Sequence, residues 1–157
     1  MSTINYYTSD YITLGVNPDD FRGDFDDENN DSIYYDDYIS DVYDDINSIL
    51  KNENLYYFHI VLKPGYYEGF SIDIKYNFEY CLESWQDRRA AHREITRIKQ
   101  FLMYCIKNFG LCAVSPGWCI TYYDYNESLQ RLKKAIKEMR DTVQNTPTWA
   151  KIRLSEV

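Results

Sequence analysis

The chain lacks several things, and each lack removes a class of function. No apolar run approaches the roughly 18 residues of a membrane-spanning helix, and the opening Met-Ser-Thr-Ile-Asn-Tyr-Tyr has neither the basic nor the apolar region of a signal peptide. We therefore expect a soluble, unsecreted, cytoplasmic protein with no membrane partner. The four cysteines include no Cys-x-x-Cys pair. Cys105, Cys112 and Cys119 are evenly spaced by seven, and Cys81, His59 and His92 complete the supply of soft ligands, but each cysteine sits among apolar residues. They read as buried free thiols in a reducing compartment rather than as zinc ligands or nucleophiles. His59 falls in a strand-like run and His92 among arginines; both read as structural or surface residues. No phosphate-binding loop, Gly-x-Gly-x-x-Gly, Gly-x-Ser-x-Gly or His-Glu-x-x-His string occurs, and Lys63-Pro-Gly-Tyr-Tyr-Glu-Gly69 is not followed by the helix start that phosphate cradling needs. The expectation is a protein that is not an enzyme and that uses no cofactor or metal.

The most informative scarcity is of positive charge in the first third. Residues 1–50 hold 13 of the 25 acids and a single base, Arg22, for a net −12, whereas residues 51–157 hold 12 acids and 16 bases, for a net +4, which restores the overall −8. One segment is strongly anionic and the rest mildly cationic. Calcium is a poor explanation. Asp24, Asp26 and Glu28 alternate as in an EF-hand loop, but the sixth position is Asn29 instead of Gly and the twelfth is Tyr35 instead of Glu.

At 157 residues and 45% hydrophobic content, the chain is long enough for one domain spanning 1–157 with a sizeable core. Residues 3–16 read as a strand and 17–31 as an acidic loop. Over 32–51 a 3.6-residue period places Tyr35, Tyr38, Ile39, Val42, Ile46, Ile49 and Leu50 on one stripe and Asp37, Asp41, Asp44 and Ser48 opposite, an amphipathic helix with a carboxylate face. Leu55–Leu62 and Phe70–Tyr76 flank Pro64, Gly65 and Gly69 and read as an antiparallel hairpin. Leu82–Phe109 carries the strongest helical pattern, with Ala91, Ile95, Ile98, Leu102, Cys105 and Ile106 inward and Gly110 as its stop. Leu111–Val114 and Trp118–Tyr123 flank Ser115-Pro-Gly117 as a second strand pair. A last helix, capped by Asn126, buries Leu129, Leu132, Ile136, Met139 and Val143 and turns Lys133, Lys134, Lys137 and Arg140 outward. Residues 145–157 form a tail. The expected class is α+β: a mostly antiparallel sheet of two hairpins, in ββαββα order over 55–144, covered by helices and preceded by the acidic helix.

Neighbouring carboxylates on a helix repel by a few tenths of a kcal/mol per pair, so stability of the helix is not why they are there. DNA presents regularly spaced negative charge, and a surface that approximates the spacing can occupy the groove of a protein that holds DNA. On this reading Asp24, Asp26, Asp27, Glu28, Asp31, Asp36, Asp37, Asp41, Asp44 and Asp45 bind a basic nucleic-acid groove. The alternatives are a solvated, solubilising face, or an assembly module whose acidic helix packs on basic helices of its own chain or of a homodimer. Arg88, Arg89, Arg93 and Arg97, interleaved with aromatics, suggest direct nucleic-acid binding, but the net negative charge argues against it.

Two phrases, Leu62-Lys-Pro-Gly-Tyr-Tyr-Glu-Gly-Phe70 and Pro116-Gly-Trp-Cys119, the second followed by a basic helix and Thr146-Pro-Thr-Trp149, resemble those of small proteins of phages and mobile elements. The resemblance spans about residues 55–150 and implies a context, the cytoplasm of a bacterial host, without an activity. In charge character the N-terminal segment resembles phage-encoded DNA mimics of the anti-restriction and anti-CRISPR type. That likeness implies an inhibitor of host defence whose partner is the basic groove of a bacterial nuclease. Lys133, Lys134 and Lys137 depart from that pattern, because a pure mimic seldom keeps a basic face.

Overall fold

The stripes of apolar residues converge on one core in a computed structural model that describes residues 11–17, 28–66, 69–76, 84–115 and 119–145, with the backbone alone for 28–36 and 65–66. The elements in chain order are β1 (Thr13–Gly15), α1 (Glu28–Lys51), β2 (Phe58–Tyr66), β3 (Gly69–Tyr76), α2 (Trp85–Phe109), β4 (Cys112–Ser115), β5 (Thr121–Tyr122) and α3 (Tyr125–Asn145). The five strands form one sheet in the order β2-β3-β1-β4-β5, and every neighbouring pair is antiparallel. The fold is α+β.

Register decides which side chains face the helices. Leu14 lies opposite Ile72 and Ala113, while Ile60, Leu62 and Phe58 lie opposite Ile74, Ile72 and Tyr76. Alternation puts all of these on one face. There they join Val42 and Ile46 of α1, Ile95, Ile98 and Leu102 of α2, and Leu132, Met139 and Val143 of α3 in a single buried cluster, with Ile60 and Leu62 half-buried at its margin. Tyr43 of α1 meets Phe70 edge to face, centroids 5.8 Å apart. The opposite face carries Thr13, Ser71 and Asp73. Asp73 is buried yet satisfied, because the Thr13 hydroxyl donates to it at 2.8 Å and Lys63 Nζ lies 2.9 Å away.

The sheet departs from the sequence expectation at its centre. Only Thr13–Gly15 of the strand expected over 3–16 is a described strand, residues 3–10 lying outside the described residues, and it joins the two hairpins from between them. A Cβ on Gly15 would stand 3.0 Å from Val114 Cγ2, so a larger residue here would have to push the Val114 side chain aside where β1 approaches β4. Local reading could not place this strand, because its partners Asp73 and Ala113 are remote in sequence.

Smaller boundaries moved for local reasons. β2 starts at Phe58 instead of Leu55, because the N–H groups of Tyr56 and Tyr57 bond the Glu94 carboxylate and not a neighbouring strand. It then runs on through Pro64, which an edge strand tolerates, and its register shifts between Pro64 and Tyr66. α2 starts at Trp85 because Ser84 caps it: Asp87 N–H donates to the Ser84 hydroxyl at 3.2 Å and Ser84 N–H donates to the Asp87 carboxylate at 3.0 Å. It ends where Gly110 turns left-handed at φ 67°. The α3 cap is Asp124, which accepts the Glu127 N–H at 2.8 Å, and not Asn126, which lies inside the helix. The β5 strand is confined to Thr121–Tyr122, and the Trp118 of the expected strand lies outside the described residues.

Candidate functional site

Two helices run side by side on the sheet and present opposite charge. The Tyr38 hydroxyl of α1 donates to the Phe109 carbonyl at the end of α2, and burial holds that phenol above its ordinary pKa. Fifteen residues later Glu53, just past α1, lies 3.7 Å from Arg97 in the middle of α2. The helices are therefore antiparallel neighbours, with Ile49 of α1 and Phe101 of α2 lining one crevice between them.

On α1 the inward stripe is Tyr38, Ile39, Val42, Tyr43, Ile46, Ile49 and Leu50, while Asp37, Asp41, Asp44 and Asp45 are exposed together with Ser40, Asn47 and Ser48. None of these four aspartates forms an ion pair with a described lysine or arginine. Of the remaining residues expected in an acidic binding face, Asp24, Asp26 and Asp27 lie outside the described residues, and Glu28, Asp31 and Asp36 lie within the helix span with only their backbone described. The four visible carboxylates occupy a nine-residue stretch, a rise of about 12 Å from first to last, so their mean axial interval is about 4 Å; one DNA strand carries a charge about every 3.4 Å.

The outer face of α2 is the converse. Arg89, Arg93, Arg97, Lys99 and Lys107 are exposed, and neither acid of the helix joins them: Asp87 is half-buried in the cap and Glu94 is buried. Sequence reasoning missed Glu94, whose only signal was its position on the apolar stripe, three residues after Ala91 and four before Ile98. Its Oε1 accepts the N–H groups of Tyr56 and Tyr57, each at 3.0 Å. Burial pushes its pKa up, while those N–H groups and the Arg97 charge pull the other way. The Tyr57 hydroxyl donates to Asp87 at 2.8 Å, and burial and then that carboxylate raise its pKa. These contacts fix the connection after α1 to α2.

The expected basic side of α3 is mixed. Lys133, Lys134 and Lys137 are exposed, but so are Glu138 and Asp141, and Arg140 turns half-inward with Nη1 3.3 Å from His92 Nδ1 and Nη2 3.2 Å from Thr96 Oγ1. Arg88 is engaged too, donating to the carbonyls of Val143 and Gln144 at the end of α3. Cys105 and Cys112 are buried as the apolar context implies, and burial pushes the Cys105 thiol up to about 12. Cys119 is exposed, against that expectation, and Cys81 lies outside the described residues. Among the described residues no group of three or more His, Cys, Asp or Glu is placed to hold a metal ion. No helix among them is long and apolar enough to cross a membrane.

Neither a protein-family model, nor a curated protein, nor a solved structure matches this chain. What its faces do must follow from their chemistry.

Proposed function

We propose that this chain is a non-enzymatic inhibitor, of the kind carried by phages and mobile elements, whose acidic helix enters the cationic DNA groove of a bacterial defence nuclease and competes with DNA there. The observation that carries the reading is the row of four exposed carboxylates on α1, set at nearly the charge interval of a DNA strand and paired with no described cation. An ordinary solvated face mixes both signs, as α3 does. Short aspartate stems hold the charge close to a helix that is itself anchored through Val42 and Ile46, so little side-chain entropy is lost on docking. The helix spans 24 residues, a length of about 36 Å, which is close to one turn of duplex DNA at about 34 Å.

Binding to a panel of purified restriction and CRISPR nucleases, with and without competing duplex DNA, tests the proposal. The expected result is a complex that duplex DNA displaces, that weakens steeply with salt, and that the combined substitution Asp37→Asn, Asp41→Asn, Asp44→Asn and Asp45→Asn weakens by a factor of ten or more. Complexes indifferent to DNA, or a neutralised variant that binds as the natural chain does, would overturn it.

A further inference from the structure

The outer face of α2 carries more than charge. Among the described residues four large hydrophobic side chains are exposed, and two of them lie on this helix: Trp85 at 71% and Tyr104 at 48%. A third, Tyr56 at 58%, stands beside it on the connection that Glu94 holds. Trp85, Arg89, Arg93 and Arg97 follow one another at intervals of four residues, the spacing that builds a continuous ridge along a helix, with a rise of about 6 Å per step. The Arg89 guanidinium lies over the Trp85 ring, 5.1 Å from its centroid. Next to the ridge an open cleft of about 760 Å³ is lined by Tyr56, Tyr57, Arg93, Thr96 and Arg97 among others. Glu94 reaches this cleft as well, but its carboxylate is bound to the backbone of Tyr56 and Tyr57.

We propose that this ridge and cleft bind single-stranded nucleic acid, with the arginines on the phosphates and with Trp85 and Tyr56 stacking on unpaired bases. Sequence-tolerant single-strand sites combine these two ingredients, a cationic track and exposed aromatic planes. Exposed aromatics favour a single strand over a duplex, whose base faces are already stacked, and over an acidic protein, for which the arginines alone would serve. The net charge of −8 does not oppose this locally. Asp37 lies beside the far end of α2, where Tyr38 meets Phe109, twenty residues and thus about 30 Å from Arg89, against a screening length of about 8 Å at physiological salt, whereas the Arg97 end of the ridge lies closer to α1, with Glu53 3.7 Å from Arg97. The inference stands apart from the proposed role of α1, since it uses a different face.

Fluorescence anisotropy of the full chain with a labelled oligothymidylate and its oligouridylate counterpart tests it, with an abasic oligomer and polyglutamate as competitors. Binding is expected to fall with salt at a log–log slope of about −2, the value for three phosphate contacts on a single strand. Trp85→Ala and Tyr56→Ala are each expected to weaken it about tenfold, and Arg93→Gln to make the slope shallower by about 0.7. Trp85 and Arg93 are exposed, so circular dichroism of these variants should match that of the natural chain. The combined neutralisation of the α1 aspartates is expected to leave oligonucleotide binding in place, so failure of either proposal is read separately. Absence of binding at low salt, equal competition by polyglutamate or the abasic oligomer, or full binding by both Trp85→Ala and Arg93→Gln overturns the inference; equal competition by polyglutamate would instead mark the ridge as a dock for an acidic protein.

Discussion

α1 and α2 are built to the same plan and finished differently. Both are helices of three-dozen-ångström length, about 36 Å and 38 Å from 24 and 25 residues, both bury one apolar stripe in the same core, and they lie antiparallel. Outside, the described part of α1 shows acids without bases until Lys51, and α2 shows bases without acids. Inward faces are constrained by packing, so their similarity says only that both helices belong to the fold. The outward faces are free of that constraint, and one-signed charge there costs a little stability through repulsion between neighbours. What differs between the helices is therefore what points to use. α3, with lysines and acids intermixed, shows what a face without such a bias looks like.

If that separation of inside from outside is real, truncating the inward stripe should be costly on both helices. Ile98→Ala on α2 and Ile46→Ala on α1 remove side chains at 1% and 0% exposure, and each is expected to destabilise by about 2–5 kcal/mol, read by chemical denaturation. A cost below about 0.5 kcal/mol for Ile46→Ala, the range of surface substitutions, would mean that α1 is only loosely attached and that the likeness between the helices is superficial. Next in size comes the tie from α2 to the connection after α1. Glu94→Ala strands the N–H groups of Tyr56 and Tyr57 and is expected to cost about 1–3 kcal/mol.

Glu94 also gives a pH signature. Its folded pKa lies above its unfolded value, so the folded state holds the proton more tightly; the associated stability is fully present below the ordinary glutamate range and is lost as pH rises through the folded pKa. Stability measured from pH 4 upward should therefore decline less steeply in Glu94→Gln than in the natural chain, and identical slopes would show that the carboxylate is not desolvated. Alkylation sharpens the contrast of buried and exposed positions at smaller cost to the protein. At pH 8 Cys119 should react readily with iodoacetamide, while Cys105, held near 12 by burial, should resist until the chain unfolds. The smallest effect belongs to the outer face of α1: neutralising Asp37, Asp41, Asp44 and Asp45 is expected to leave the folding free energy, read by chemical denaturation, unchanged or the fold stabilised by a few tenths of a kcal/mol per relieved pair. A marked loss of stability would show that these carboxylates serve the fold.

Much of this was legible in the sequence because period and packing coincide in helices. Ala91, Ile95, Ile98, Leu102, Cys105 and Ile106, picked out by spacing alone, are all buried, as are Leu132, Ile136, Met139 and Val143. Gly110 ends α2 where the pattern stops, for a reason local to one residue. The illegible parts are those decided by remote partners. Nothing near Thr13 announces that it lies between Asp73 and the β4 strand, and nothing near Tyr56 says that its N–H will meet Glu94 on another element. The cationic ridge is visible in the sequence as arginines, and only the net charge argues against it, an average over two helices that carry opposite signs. The acidic row was legible as a pattern, and Asp37, Asp41, Asp44 and Asp45 do point outward.

The position of β1 carries a practical lesson for anyone dissecting this molecule. Among the described residues, three near the start of the sequence form the only strand that links the hairpin β2–β3 to the pair β4–β5 within the sheet. A shortened chain beginning at residue 51 would lose the seam along with the acidic helix, and its collapse would report on the seam. Point substitution on the surface of α1 is thus the informative route, and a synthetic peptide covering residues 11–17, added back to such a fragment, would reveal whether the two halves wait for their missing middle.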